Sequence, residues 1–370
     1  MKIAFALRRF APDGGTGRYA SALARSLLTA GHEVCVVCME HSVESKLEPW
    51  LGGALRLYPQ AVPRLGSWYT MGAFARVARR AVEGLAPDAS LALGRIPGLD
   101  VYRAGGGCHA AYLDTVPGWR WSVRHHRELA LDRAVVLGAR RVVANAGLPG
   151  RQLVDRYGLA PERLAVIPNG VDCDHFRPDR EACRELRASL GLDEHVPLVL
   201  FLGAGFARKG LETAIRAVSA LEGAVLVAVG GDRGTARYRR MASGLGLRLE
   251  LLGARPDPER WLAAADALML PTRYDSAANA VLEAMAAGVP AITSGANGAA
   301  EFLPEPWLAV QDPHDASGFA AALARALDDP ALPGRCREAA TAMTWQRSCD
   351  AMTALLRDLA DEGRAPGETQ

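Results

Sequence analysis

The chain has 370 residues, 49% of them apolar, with 43 Lys and Arg against 41 Asp and Glu and seven cysteines. That length can bury more than one core, so two domains are expected. No run reaches the ~18 to 20 apolar residues of a spanning helix, Met1-Lys2 leads straight into a strand pattern with no secretory leader, and an odd, scattered set of cysteines argues for a reducing compartment. Cys35 and Cys38 have metal-like spacing but lie in an apolar strand pattern with no second pair, and read as core packing. The near-zero net charge hides an asymmetry. Residues 1–170 hold 22 Lys and Arg against 13 Asp and Glu, and residues 171–370 hold 21 against 28. The first half therefore favours an anionic partner. Lysine is scarce, occurring only as Lys2, Lys46 and Lys209.

In chain order, Lys2 to Leu7 reads as a buried strand and Arg8 to Thr16 as a loop containing Gly14-Gly15. Gly17 to Ala30 reads as a helix with Tyr19, Leu23, Leu27 and Leu28 on one face, closed by Gly31, and Glu33 to Cys38 as the next strand. Strand, helix, strand at this spacing predicts a right-handed parallel crossover in an α/β domain. Gly15-x-Gly17-x-x-Ala20, with Glu40 after the second strand, also matches a dinucleotide fingerprint, which would make an NAD-dependent oxidoreductase. Against that, fingerprint glycines follow the strand almost directly, and here Arg8 to Gly14 intervene.

Between Pro59 and Arg141 the chain is rich in arginine and tryptophan. Trp68, Tyr69, Phe74, Arg76, Arg79 and Arg80 fall in one helical stretch. Trp119, Trp121, Arg124, His125, His126, Arg127, Arg133, Arg140 and Arg141 fall in another. Basic residues interleaved with aromatics suit an anionic membrane surface; a solvated arginine face is the plain alternative. No recognised nucleic-acid module accompanies them, so nucleic acid is not expected as a partner. His109 ends the glycine-rich run Gly94 to His109, where an imidazole can hydrogen-bond a sugar or move a proton, although a lone His is often structural. Arg141 to Ala144 is another strand and Gly147 to Tyr157 a helix. The strand from Ala165 ends in Asn169-Gly170, turn chemistry at the place where the charge changes sign, and the domain boundary is set there.

The second half restarts with strand Leu198 to Leu202, the glycine loop Gly203 to Gly210, and a helix from Leu211 to Leu221. A glycine loop at a helix start is an anion site, here with Arg208 and Lys209 added on a loop expected to be exposed. Ala224 to Val229, Arg248 to Leu252 and Ala267 to Leu270 are further strands, and Gly253-Ala254-Arg255 follows one of them. Past Pro271, Ser276 can cap a helix over Ala277 to Ala287, which Gly288 and Pro290 end. Its amino end suits an anion or a sugar hydroxyl. Asp275 precedes that helix, Glu283 lies eight positions on, and Trp345 to Leu359 reads as a terminal helix.

The pair Asp275 and Glu283 resembles the acidic motif of glycosyltransferase family four, in which two carboxylates flank seven residues, although Asp275 stands where the family usually has Glu. Gly14, Gly15 and Arg18 resemble the family's glycine-glycine-x-x-arginine pattern near the donor phosphates. Gly203, Gly205, Arg208 and Lys209 resemble its second phosphate loop, and Arg255 lies where relatives hold the nucleotide base. Pro97 to Tyr102 is similar to a segment of the lipopolysaccharide core glucosyltransferase I group and its bacterial relatives; this chain has the His of some relatives at 109 but lacks their acid near Gly106. Ala165 to Asp172, with Phe176-Arg177-Pro178, resembles the interdomain connection.

The resemblance implies an α/β protein of the GT-B arrangement, two Rossmann-like domains with parallel sheets facing an interdomain cleft. Residues 1–168 would bind the acceptor, 169–345 the nucleotide-sugar, and 346–370 would pack back on the first domain before a tail. It implies a retaining hexosyltransferase with no cofactor and no divalent metal, since Arg208, Lys209 and nearby amides neutralise the leaving diphosphate. Asp275 would hold the sugar, Glu283 the ribose, and the helix entry Ser276, Ala277, Ala278 and Asn279 the donor, with His109 facing the reacting centre. The implied donor is a UDP-sugar, UDP-glucose above others, and the acceptor a lipid-linked cell-envelope glycan such as the lipopolysaccharide inner core. That places the protein in the cytoplasm, peripheral on the inner face of the cytoplasmic membrane. GDP and ADP donors, other glycan acceptors and a non-catalytic sugar-nucleotide-binding relative stay open.

Overall fold

Short apolar runs bounded by glycine and polar turns become parallel strands when helices can cover both faces, and both halves of this chain use them in that way. The computed structural model describes residues 1–12, 14–63, 65–232 and 234–364. The chain divides into two units, Met1–Asn169 together with the segment from Trp345, and Gly170–Thr344.

In the first unit β1 (Lys2–Ala6), β2 (Glu33–Cys38), β3 (Leu55–Pro59), β4 (Ala89–Ala92), β5 (Val101–Arg103), β6 (Arg141–Ala144) and β7 (Leu164–Val166) form one sheet. Its order is β3-β2-β1-β4-β5-β6-β7, and every pairing is parallel. The order reverses beside β1, so the loops leaving β1 and β4 diverge and open a crevice at the carboxyl edge, where α/β sheets bind ligands. Around the sheet lie α1 (Gly14–Thr29), α2 (Ser67–Leu85), α3 (His109–Leu113), α4 (Val123–Gly138) and α5 (Gly147–Tyr157).

The first helix corrects the expectation from sequence. Gly14 and Gly15 are its first residues, not part of a loop, and Gly14 adopts φ 69°. Gly17 is fixed for a different reason: a Cβ there would lie 1.9 Å from the Ala11 carbonyl oxygen, so the incoming loop crosses the helix at backbone contact. Glu40 pairs through its backbone with Arg9 in a two-residue ladder. Cys35 and Cys38 are both buried in β2.

The second unit repeats the plan with β8 (Leu198–Leu202), β9 (Val225–Val229), β10 (Arg248–Gly253), β11 (Ala267–Leu270), β12 (Ala291–Ser294) and β13 (Ala309–Val310), ordered β10-β9-β8-β11-β12-β13. The reversal now falls between β8 and β11. Three helices bear on the site: α6 (Phe206–Lys209), α7 (Leu211–Val218) and α8 (Asn279–Ala286).

The terminal helix α9 (Trp345–Arg364) belongs to the first unit. Cys349, Met352, Leu356, Leu359 and Ala360 recur at helical spacing and join the core made by Tyr19, Leu23 and Leu27 of α1. Each fully buried Met or Leu in such a face contributes about 1.5–3 kcal/mol. Ser348 Oγ donates to the Pro168 carbonyl at 2.6 Å, and Arg103, whose guanidinium carbon lies 3.6 Å from the Tyr19 ring centroid, bonds Asn169. These contacts fix the place where the chain leaves the unit.

Candidate active site

The loops after β8 and β11 meet at the carboxyl edge of the second sheet. They can do so because Gly210 has no side chain: its φ is 82°, and a Cβ there would stand 1.9 Å from the Pro271 carbonyl oxygen. The Arg208 carbonyl then accepts from the Arg273 amide at 2.8 Å and from Thr272 Oγ1 at 3.2 Å. Gly203 (φ 145°) leaves room for the Lys209 stem, whose Cε lies 3.4 Å from where a Cβ would be.

This weave brings the two cations onto one carboxylate oxygen. Asp275 Oδ2 accepts from Lys209 Nζ at 2.6 Å and from Arg208 Nη1 at 2.9 Å, and the same Nη1 donates to the Tyr274 carbonyl at 2.9 Å. Burial works to raise the Asp275 carboxyl, but the Lys209 and Arg208 charges outweigh it and hold it below the ordinary carboxylate range. Two cations thus share one carboxylate oxygen beside the glycine loop. Lys209 is buried at 8% exposure, which corrects the expectation of an exposed loop cation. The anion cradle is also narrower than the sequence suggests, since the Phe206 amide at the start of α6 already donates to Asp232 Oδ2 at 2.7 Å.

The acidic-motif helix starts later than expected. It runs Asn279–Ala286 with Ala278 at its cap position, and Ser276 is not the cap. Asn297 sets the entry: its Oδ1 accepts from the Ala278 amide and from the Ala299 amide, both at 3.1 Å, while its Nδ2 donates to Thr293 Oγ1 at 3.0 Å. Asp275 is tied to the same loop, its amide to Ala296 O and its carbonyl to the Gly298 amide. Ser276, Ala277, Ala278 and Glu283 are all buried, and Arg255 is exposed after β10. Asn297 and Asp232 hold the two helix entries of the candidate site and are positions that sequence reasoning misses; only the Asn297-Gly298 turn signal marks the first.

In the first unit His109 opens α3 and is buried. The organiser here is Asp132 on α4, which is fully buried. Its Oδ1 accepts from Arg95 Nε at 2.9 Å and Tyr102 Oη at 3.3 Å; its Oδ2 accepts from the His109 amide at 2.9 Å and Tyr157 Oη at 2.8 Å. Four donors match the four acceptor positions of an ionised carboxylate. Tyr157 Oη in turn accepts from the Ala110 amide at 3.1 Å, so both leading amides of α3 are fixed.

The His109 Nε2 lies 3.4 Å from Glu128 Oε2, whose other oxygen accepts from Arg124 Nε at 2.8 Å. Burial, reinforced by Arg95, pushes the imidazole down to about 4, with Glu128 and Asp132 opposing. His109 is therefore neutral at pH 7. Among the described residues, His109, His125 and Glu128 are the group whose donor atoms lie within 4.8 Å of one another. The Arg124 guanidinium already lies on that carboxylate, which completes a His–Glu–Arg cluster. Gly15 and Arg18 lie in α1, in the same unit as His109, and Gly203, Gly205, Arg208, Lys209, Arg255, Asp275 and Glu283 in the other.

Known proteins match both halves. The family model described as Glycosyltransferase Family 4 matches residues 13–175, and that described as Glycosyl transferases group 1 matches residues 196–329. The lipopolysaccharide glucosyltransferase WaaG of Escherichia coli (strain K12) is 27% identical over 326 residues, covering 82% of this chain and 83% of WaaG. A crystal structure of WaaG, described as a glycosyltransferase involved in lipopolysaccharide biosynthesis, superposes with TM-score 0.81 at 22% identity over 96% of this chain and 99% of that one. The D-inositol 3-phosphate glycosyltransferase of Geodermatophilus obscurus is 33% identical over 260 residues, 64% of this chain and 56% of that protein. Anabaena HepE in complex with UDP-glucose superposes with TM-score 0.73 at 17% identity over 97% of this chain and 100% of that one. Two doubly wound parallel sheets, a glycine loop carrying Arg208 and Lys209, an Asp275–Glu283 pair and family matches over both halves make this chain a GT-B enzyme that belongs to the family-four glycosyltransferases.

Proposed function

We propose that this glycosyltransferase moves glucose from UDP-glucose to a cell-envelope glycan such as the lipopolysaccharide inner core, with retention at the anomeric carbon and without a divalent metal. The observation that carries the reading is the Lys209–Asp275–Arg208 cluster at the carboxyl edge of the second sheet. When the bond from the anomeric carbon to the diphosphate breaks, its electron pair stays on the departing oxygen. A preformed pair of cations there stabilises that charge most when it is largest, in the transition state. Asp275 holds the cations while the donor is away and turns to the sugar when the diphosphate takes its place. In this reading Glu283 holds the ribose, the entry of α8 from Ser276 to Asn279 and Arg255 hold other parts of the nucleotide-sugar, and Gly14, Gly15 and Arg18 are assigned to binding the donor phosphates. His109, neutral at pH 7, supplies a hydrogen bond and not a charge at the reacting centre. The similarity to a lipopolysaccharide glucosyltransferase supports the choice of acceptor, and the similarity to HepE, which binds UDP-glucose, supports the choice of donor. The D-inositol 3-phosphate glycosyltransferases favour a second reading, the same chemistry on another acceptor.

The test is UDP release from UDP-glucose in the presence of deacylated inner-core oligosaccharide, with the new linkage read by NMR. Full activity is expected in EDTA. Activity that vanishes with EDTA and returns with Mg²⁺ or Mn²⁺ would overturn metal independence. UDP binding without any release of UDP would identify a non-catalytic relative.

The reading also puts the first unit on the inner face of the cytoplasmic membrane. No helix among the described residues is long and apolar enough to cross a membrane. Trp121 is 92% exposed and Val123 64%, in a segment where Arg120, Arg124 and Arg127 are exposed as well. Such a segment seats aromatic and aliphatic groups at a headgroup boundary while the cations meet lipid phosphates. Binding to vesicles containing phosphatidylglycerol is expected to weaken steeply with salt and to fall on Trp121→Ala. Equal binding to neutral and anionic vesicles would remove the charge argument.

A further inference from the structure

A cavity of about 450 Å³ opens in the first unit at the carboxyl edge of its sheet. Its lining comes from the residues after β1 (Arg8), β2 (Met39) and β4 (Arg95), from α2 (Phe74), and from α4 (Arg124 and Glu128). It therefore lies in the crevice where the strand order reverses, the place such sheets hold ligands. Three guanidiniums face one lining carboxylate. Arg124 is paired with Glu128 at 2.8 Å and Arg95 with the buried Asp132 at 2.9 Å, whereas no described carboxylate pairs with the exposed Arg8. The balance is one uncompensated positive charge at the mouth of a pocket whose other wall is apolar. Glu128 connects this pocket to the buried His109, 3.4 Å from its second oxygen.

We infer that this cavity is the acceptor site and that the acceptor carries a phosphate group, bound by Arg8 with the field of Arg95 and Arg124 behind it, while its sugar ring packs on Phe74 and Met39. The inference rests on the glycosyltransferase reading and narrows its acceptor to a phosphorylated sugar. A guanidinium fork meets two phosphate oxygens at once. The apolar wall suits the C–H face of a pyranose ring, and a neutral glycan would leave the Arg8 charge without a partner.

The test uses the full chain saturated with UDP, which occupies the other cationic site, and calorimetric titration with mannose 6-phosphate, mannose, glucuronate and inorganic phosphate. Mannose 6-phosphate is expected to bind at least about tenfold more tightly than mannose, and Arg8→Gln to weaken it by about tenfold, the size of one charge-assisted hydrogen bond. Arg8→Lys should restore part of the loss. Unchanged binding by a folded Arg8→Gln variant would overturn the assignment. Equal binding of mannose would do the same, and tighter binding of glucuronate would replace phosphate by carboxylate. Displacement of mannose 6-phosphate by phosphatidylglycerol vesicles would make the phosphate that of a lipid headgroup and overturn the sugar-phosphate reading. UDP binding is measured separately beforehand, so failure of the donor assignment is seen on its own.

Discussion

Lys209→Ala is expected to lower kcat for transfer by about 10²-fold or more while raising the donor KM much less. The size is that of removing one preorganised donor from a developing oxyanion, and the split follows because the leaving oxygen carries more charge in the transition state than in bound donor. Lys209 is buried and bonded to Asp275 at 2.6 Å. Its removal therefore also costs stability, because a buried carboxylate loses one of its two cations. Arg208 still holds Asp275 at 2.9 Å, so the cost is about 1–3 kcal/mol, below the ~3–5 of a fully orphaned partner. A thermal melt separates the two effects. The Lys209→Ala, Asp275→Ala double variant should recover most of the melting temperature and none of the turnover. Lys209→Arg should recover only part of the rate, since a planar fork must occupy the space above Gly203 that an alkyl stem now fills. A folded Lys209→Ala enzyme with near-normal kcat would leave the cation a structural counter-ion of Asp275 and nothing more.

The same cluster marks how far the sequence can be read. The spacing of Asp275 and Glu283 is local, so it is visible, as is the glycine loop with its two cations. The burial of Lys209 depends on Gly210 packing against Pro271, 61 positions on, and nothing near Arg208-Lys209 announces it. The start of α8 departs from the local pattern for a like reason. A serine before an apolar run is a good local cap, but the Ala278 amide is taken by Asn297 from the next loop, and tertiary structure wins.

Strands such as Leu198–Leu202 and Ala267–Leu270 are legible because burial on both faces makes an unbroken apolar run. β3, with Arg56 and Tyr58 on an edge, and β4, four residues that include two alanines and a serine, carry no such run and escape a reading by pattern. Asp132 is the clearest omission. Its partners Arg95, Tyr102 and Tyr157 stand 37, 30 and 25 residues away, and only the fold brings them to one carboxylate.

That buried cluster should set the acid limit of the protein through His109. In the unfolded chain the imidazole takes a proton near pH 6.5; in the folded protein it resists protonation until about 4. Burial is the larger cause and Arg95 the next, opposed by the carboxylates of Glu128 and Asp132; the adjacent His125 works in the same direction as Arg95. Between those values the unfolded state binds more protons, so stability rises with pH across this window. It is fully present above pH 6.5 and is lost as pH falls toward 4. By pH 4.5 the loss from this one group is on the order of 2.5 kcal/mol, since each tenfold rise in proton concentration below pH 6.5 favours the unfolded chain by about 1.4 kcal/mol. Urea titrations at pH 7, 5.5 and 4.5 should show the midpoint of the wild type falling, and His109→Phe, which cannot titrate, falling less over the same interval. Should that variant fold poorly, Glu128→Gln provides the second reading. With the Glu128 charge removed, the imidazole is driven lower still, so the decline should continue to a more acid pH. Parallel curves for wild type and both variants would mean that His109 takes its proton at the same pH folded and unfolded, and would remove it as the cause of the acid limit.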